Sequence, residues 1–113
     1  LGTRGSLPTP GPEFVRYGGN TSCVAVARDG EPPSVMLDAG TGLANAGRIL
    51  GKRPFVGSIL LGHLHWDHIY GLPFFRNGDH VDSRVSVYLP DQEDPRGQLL
   101  RVMSPPIFPI DVS

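Results

Sequence analysis

The sequence predicts an α/β fold with helices packed on a sheet. Three observations carry that reading. Two short β-branched apolar runs, Thr21–Arg28 and Ser34–Asp38, flank a Gly-Pro turn. A continuous apolar run, Val56–Gly62, has the composition of an interior strand. Segments with helical spacing then alternate with the strands, which gives the order strand, strand, helix, strand, site, strand, helix.

The elements follow in order. Residues 1–20 are rich in Gly and Pro and read as loop, with room for a strand at the very start. Thr21–Arg28 is the first full strand, and Asp29-Gly30-Glu31-Pro32-Pro33 turns the chain into Ser34–Asp38, its expected hairpin partner. Thr41 is placed to cap a helix whose apolar face includes Leu43, Gly47 and Leu50. Gly51 and Pro54 end it, with Arg48, Lys52 and Arg53 near its carbonyl end. Val56–Gly62 is near-continuously apolar rather than alternating, the pattern of a strand covered on both faces. Ile69–Phe75 is broken by Gly71 and Pro73 and reads as a short helix or irregular segment. Arg84–Leu89 alternates as a further strand. Asp94-Pro95 opens a helix with an apolar stripe of Leu99, Leu100 and Met103, stopped by Pro105-Pro106.

Composition narrows the function. At 113 residues the chain is one small domain, and 39% apolar with 19% charged residues suits a packed core rather than a disordered segment. The net charge of −1 excludes a broad basic face for nucleic acid, although a local site can still cleave it. The one cysteine, Cys23, forms no internal disulfide and reads as a small buried apolar residue, which fits a reducing compartment; a cytoplasmic location is the expectation. No apolar run approaches the ~18 residues of a membrane span, so no membrane partner is expected.

The chemistry concentrates in His63-Leu64-His65-Trp66-Asp67-His68. Hydrolytic metal sites use neutral imidazoles and carboxylates and keep a position open for water. Three histidines and an aspartate in six residues supply that donor set. In an extended segment His63 and His65 point to one side, so both can reach one ion. Asp67 and His68 follow once the chain turns, and can reach a second. Two ions about 3.5–4 Å apart can share a hydroxide and clamp the attacking and leaving oxygens. The motif follows a buried strand directly, where sites in open α/β sheets collect. Leu64 and Trp66 alternate with the ligands and read as packing under the loop.

Other candidates divide. Asp38, in Leu37-Asp38-Ala39-Gly40-Thr41-Gly42, ends a strand and could orient a metal-bound histidine, or could bond the amides of its own turn. His80 lies in an exposed loop setting and is set aside. Gly40-Thr41-Gly42 lacks the Lys of a phosphate loop and reads as a tight turn.

The His63-x-His65-x-Asp67-His68 signature resembles the metallo-β-lactamase superfamily. Leu1-Gly2-Thr3-Arg4-Gly5-Ser6, Arg16-Tyr17-Gly18-Gly19-Asn20-Thr21-Ser22-Cys23 and Leu37-Asp38-Ala39-Gly40-Thr41-Gly42 look like its ribonuclease Z and phosphodiesterase branch. The resemblance implies the N-terminal half of a four-layer αββα sandwich, residues 1–113 forming one partial domain. It implies two divalent metal ions, Zn first and Mn or Fe as alternatives. His63 and His65 would hold one ion, Asp67 and His68 the other. Asp67 would also handle protons, and Asp38 would be the supporting Asp of an early strand. The implied substrate is a small phosphodiester or RNA. The family's further ligands normally follow later than residue 113, so the isolated segment is expected to bind metal weakly, to be inactive and to self-associate through an open sheet face.

Other readings remain. One is a non-catalytic module on the same scaffold, and another is hydrolysis of a thioester or lactam carbonyl. A di-iron redox variant typically has Glu where Trp66 stands. An amidohydrolase barrel needs ~250 residues and a His-x-His near its first strand.

Overall fold

The computed structural model describes residues 1–111. Its centre is a four-stranded mixed sheet in the order β1-β2-β3-β4, with β1 Val24–Val26, β2 Val35–Leu37, β3 Val56–Leu60 and β4 Arg84–Tyr88. β1 and β2 form the expected antiparallel hairpin; β2–β3 and β3–β4 are parallel. Parallel neighbours need a crossover. Between β2 and β3 it is a 3-10 turn, Thr41–Asn45, running into the short helix α1, Gly47–Leu50. Between β3 and β4 lie the short helix α2, Trp66–Ile69, and a second 3-10 turn, Leu72–Phe74. The last helix, α3, spans Pro95–Val102.

The first two strands are shorter than expected, at three residues each. The opening residues are not all loop. Gly2 pairs with Cys23 and Arg4 with Thr21 through isolated bridges, which extend the edge beyond β1. Gly2 has no side chain because none fits: a Cβ there would fall 1.8 Å from the Thr21 carbonyl oxygen.

Thr41 does not cap a helix. Its hydroxyl accepts the Thr21 N–H at 2.9 Å and donates to Asn20 Oδ1 at 3.1 Å, while the Thr41 N–H donates to Thr21 Oγ1 at 2.8 Å. The pair ties the entry to β1 to the start of the crossover, and it satisfies the hydroxyl of Thr21, which is fully buried. Asp94 does cap as expected: its carboxylate accepts the Gly97 N–H at 3.1 Å, with Pro95 at the first helical position.

Register decides what the sheet buries. Ala25, Met36, Ile59 and Val87 are lateral neighbours, as are Val24, Leu37, Leu60 and Tyr88. The first row faces the helices, where Met36 and Ile59 are fully buried with Leu43, Ala46, Leu50, Phe55 and Ile69. The second row faces away. The expectation that residues 56–62 are covered on both faces is therefore corrected. Ile59 is 0% exposed, but Val56 is 58% and Leu60 40% exposed. The described helices pack on one face only, so the residues of opposite parity on β3 have nothing above them. An α/β fold is present, as one sheet and one helical layer. Among the described residues no helix is long and apolar enough to cross a membrane.

Candidate metal centre

Parallel pairing of β2 and β3 brings their carboxyl ends to the same edge of the sheet. Asp38 follows β2 directly and His63 follows β3 by three residues. The backbone then ties the two ends together. Asp38 N–H donates to the Leu60 carbonyl at 2.9 Å, Ala39 N–H to the His68 carbonyl at 2.8 Å, and Gly71 N–H to the Ala39 carbonyl at 2.8 Å. Gly40 makes this closeness possible: a Cβ on it would lie 2.3 Å from the Asp67 carbonyl oxygen and 2.6 Å from that of Ser22. Gly40-Thr41-Gly42 is thus a close-packed turn under the histidine loop.

His65 is extended, with φ −68° and ψ 150°, and the chain turns into α2 at Trp66. His63 and His65 sit on one side as period two demands, with ring centroids 4.6 Å apart. Asp67 and His68 come from the first turn of α2. Among the described residues, His63, Asp67 and His68 form a trio whose ligand atoms lie within 4.8 Å of one another. The rings of His63 and His68 are 3.9 Å apart at their centroids. The structure therefore groups three of the four expected ligands at one point, with His65 beside His63 and outside the trio.

His68 stands between two carboxylates. Its Nε2 lies 3.2 Å from Asp67 Oδ2 and its Nδ1 2.9 Å from Asp38 Oδ2, the latter a close approach whose alignment falls short of a regular hydrogen bond. Asp38 also accepts from Ser22 Oγ at 2.9 Å and, at 3.5 Å, from Gly62 N–H. Its carboxylate thus faces His68 and β3 rather than the amides of its own turn. Its backbone adopts φ 62°, a left-handed conformation that Asp tolerates better than most residues. Burial pushes the Asp38 carboxyl upward, but the contacts to His68, Ser22 and Gly62 outweigh it and hold the pKa below the ordinary value. Asp67 is also held low, chiefly by the Ser6 N–H, which donates to Oδ2 at 2.8 Å.

These donors fit a divalent metal. Imidazole with carboxylate is the set used by hydrolytic Zn sites, and three protein donors leave a coordination position open. A carboxylate behind a ligating imidazole is its usual companion.

One side chain departs from expectation. Leu64 packs against the core, but Trp66 is 64% exposed and pairs with Tyr70, ring centroids 5.9 Å apart. Trp66 opens the helix, so its side chain leaves the strand-like alternation that would have turned it inward. His80 lies in its loop as expected, its Nδ1 accepting from Asp82 N–H at 3.1 Å. The sequence reading missed Ser22 and Ser6. Ser22 leaves a faint signal, a hydroxyl within an apolar strand segment; the Ser6 amide leaves none, because every non-proline residue has one.

No family model and no solved structure matches the chain. Among curated proteins, a ribonuclease Z of Natronomonas pharaonis is 33% identical over 118 aligned positions, which take in all of this chain and 35% of that relative. The chain spans about a third of the length of the relative it matches.

Proposed function

We propose that this chain carries part of the active centre of a metallo-β-lactamase-type hydrolase of the ribonuclease Z kind, which cleaves phosphodiester bonds with RNA as the first candidate substrate. The observation that supports this best is the convergence of His63, Asp67 and His68 at the carboxyl edge of the sheet, with Asp38 behind His68. The similarity to a ribonuclease Z favours RNA over the other phosphodiesters.

In this reading His63 and His65 hold one divalent ion and Asp67 and His68 a second, Zn first, and the cluster of His63, Asp67 and His68 is where the two pairs meet. Bound metal supplies Lewis acidity toward a phosphoryl oxygen and a water of lowered pKa. The protein's own part is positional. Asp38 orients the His68 ring from behind, Ser22 fixes Asp38, and the Ala39–His68 backbone bond sets the height of the loop over the sheet. Asp67, ionised and at the edge of the site, receives or returns a proton at its carboxylate oxygens.

Equilibrium dialysis against Zn²⁺ tests the metal reading. The whole protein retains zinc, and His68→Ala and Asp67→Ala lose most of it; no retention by the unaltered whole protein sinks the reading. The substrate half is tested on the whole protein with bis(p-nitrophenyl) phosphate and an RNA oligonucleotide. Cleavage of neither, in protein that holds its metal, removes phosphodiester hydrolysis from the proposal.

A further inference from the structure

We propose that the segment Leu1–Ser6 is a working part of this metal centre, and that the backbone amide of Ser6 is a positioning donor that fixes the Asp67 carboxylate for ligation. The inference rests on the metal reading above and adds to it an element that contributes no side-chain ligand.

The geometry is specific. The Ser6 N–H donates to Asp67 Oδ2 at 2.8 Å across 61 residues of sequence. Ser6 makes this contact from φ 62°, a conformation that residues with a Cβ rarely adopt and retain where the surroundings over-determine it. Neighbouring backbone supplies that constraint. Gly2 and Cys23 exchange two backbone hydrogen bonds, of 3.0 and 3.2 Å, and the Thr3 and Arg4 amides both donate to the Asn20 carbonyl. Arg4 Nε holds the Gly18 carbonyl at 2.9 Å. The segment is thus pinned along residues 18–23 before it reaches Asp67.

Pinning there joins two supports into one. Ser22, within the stretch that anchors the segment, donates to Asp38, and Ser6, at the segment's end, donates to Asp67. Asp38 and Asp67 are the two carboxylates on either side of His68. One pinned piece of chain therefore donates to both carboxylates that flank the His68 ring. A donor locked on Oδ2 stops the Asp67 carboxylate from swinging on its exposed helix turn. Such outer partners of a ligand commonly govern metal affinity about as strongly as they govern its orientation.

An amide-to-ester replacement at Ser6 removes the N–H and leaves shape and side chain in place. Co²⁺ titration followed by visible absorption is the readout. The ester form binds Co²⁺ about ten- to a hundredfold more weakly than the unmodified chain, with a changed d–d band. Ser6→Gly, which keeps the N–H and accepts φ 62°, binds as the unmodified chain does. An ester form that binds as tightly, with the same spectrum, overturns the inference while leaving the metal reading intact. Amide exchange in the metal-free chain is the second measurement and does not depend on metal. The Ser6 amide is protected and loses protection in Asp67→Ala; a Ser6 amide that exchanges freely in the unaltered chain overturns the inference whatever the cobalt result. These titrations are made on the whole protein, and a whole protein that shows no cobalt spectrum sinks the metal reading and this inference with it.

Discussion

Asp38 Oδ2 lies 2.9 Å from His68 Nδ1 and 2.9 Å from Ser22 Oγ, so a single carboxylate oxygen links the strand entry to the ring that faces the site. The carboxylate does not touch the trio's open side. In the proposed metal site its contribution is to the direction and basicity of the imidazole.

Asp38→Asn keeps the size of the side chain and removes its charge. Metal affinity falls by about ten- to a hundredfold, while the circular dichroism spectrum is retained. Isothermal titration with Zn²⁺ measures it; equal affinities would remove Asp38 from any role in orienting His68.

Gly40→Ala tests the packing under the loop. Its Cβ would meet backbone oxygens of Asp67 and Ser22, which cannot rotate away as a side chain does. Overpacking of this kind costs about 1–3 kcal/mol, and here the strain falls on the histidine loop itself. Urea unfolding shows the loss of stability, and a variant as stable as the parent would contradict the close approach.

Cys23 is fully buried, and burial raises its thiol pKa from 9.0 to about 11. The native chain is therefore inert to a thiol reagent at pH 8, while the urea-unfolded chain reacts at once. The linkage has a defined sign. The folded state favours the neutral thiol, so its contribution is intact below pH 9 and is lost as pH rises through about 11. Equal labelling rates for native and unfolded chain would show that the strand is open.

The uncovered sheet face carries Val24, Leu37, Leu60 and Tyr88 in one lateral row. All four are at least 40% exposed. Contiguous apolar surface of this kind promotes association. The chain sediments with a concentration-dependent mass, and Leu60→Lys shifts it toward monomer with a stability change within about 0.5 kcal/mol, because that side chain points away from the core. A parent chain that is monomeric at all concentrations would refute this.

Legibility in the sequence followed the range of the interactions. The hairpin from Thr21 to Asp38, the strand at Val56, the Asp94-Pro95 helix start and the clustering of histidines are local patterns. Local patterns survive translation into structure because period, turn chemistry and caps act over a few residues. Two of the three failures involve partners far apart, and the third a turn at the next residue. Thr41 reads as a helix cap, yet Thr21 claims its hydroxyl across 20 residues. Trp66 reads as packing, yet the turn at His65 carries it outward. The run at Val56 reads as doubly covered, yet one of its faces meets no helix.

The sequence by itself determined the α/β class, the cluster of His63, His65, Asp67 and His68, and the place of that cluster at the end of a strand. It could do so because residue type and short-range spacing limit what metal and what geometry a loop can serve. Only the tertiary structure decided that His63, Asp67 and His68 meet at one point, that Asp38 backs His68, and that an amide from the sixth residue holds Asp67. Those relationships depend on the parallel register of β2 and β3 and on a backbone donor common to nearly every residue, and neither leaves a mark on the identity of the residues involved.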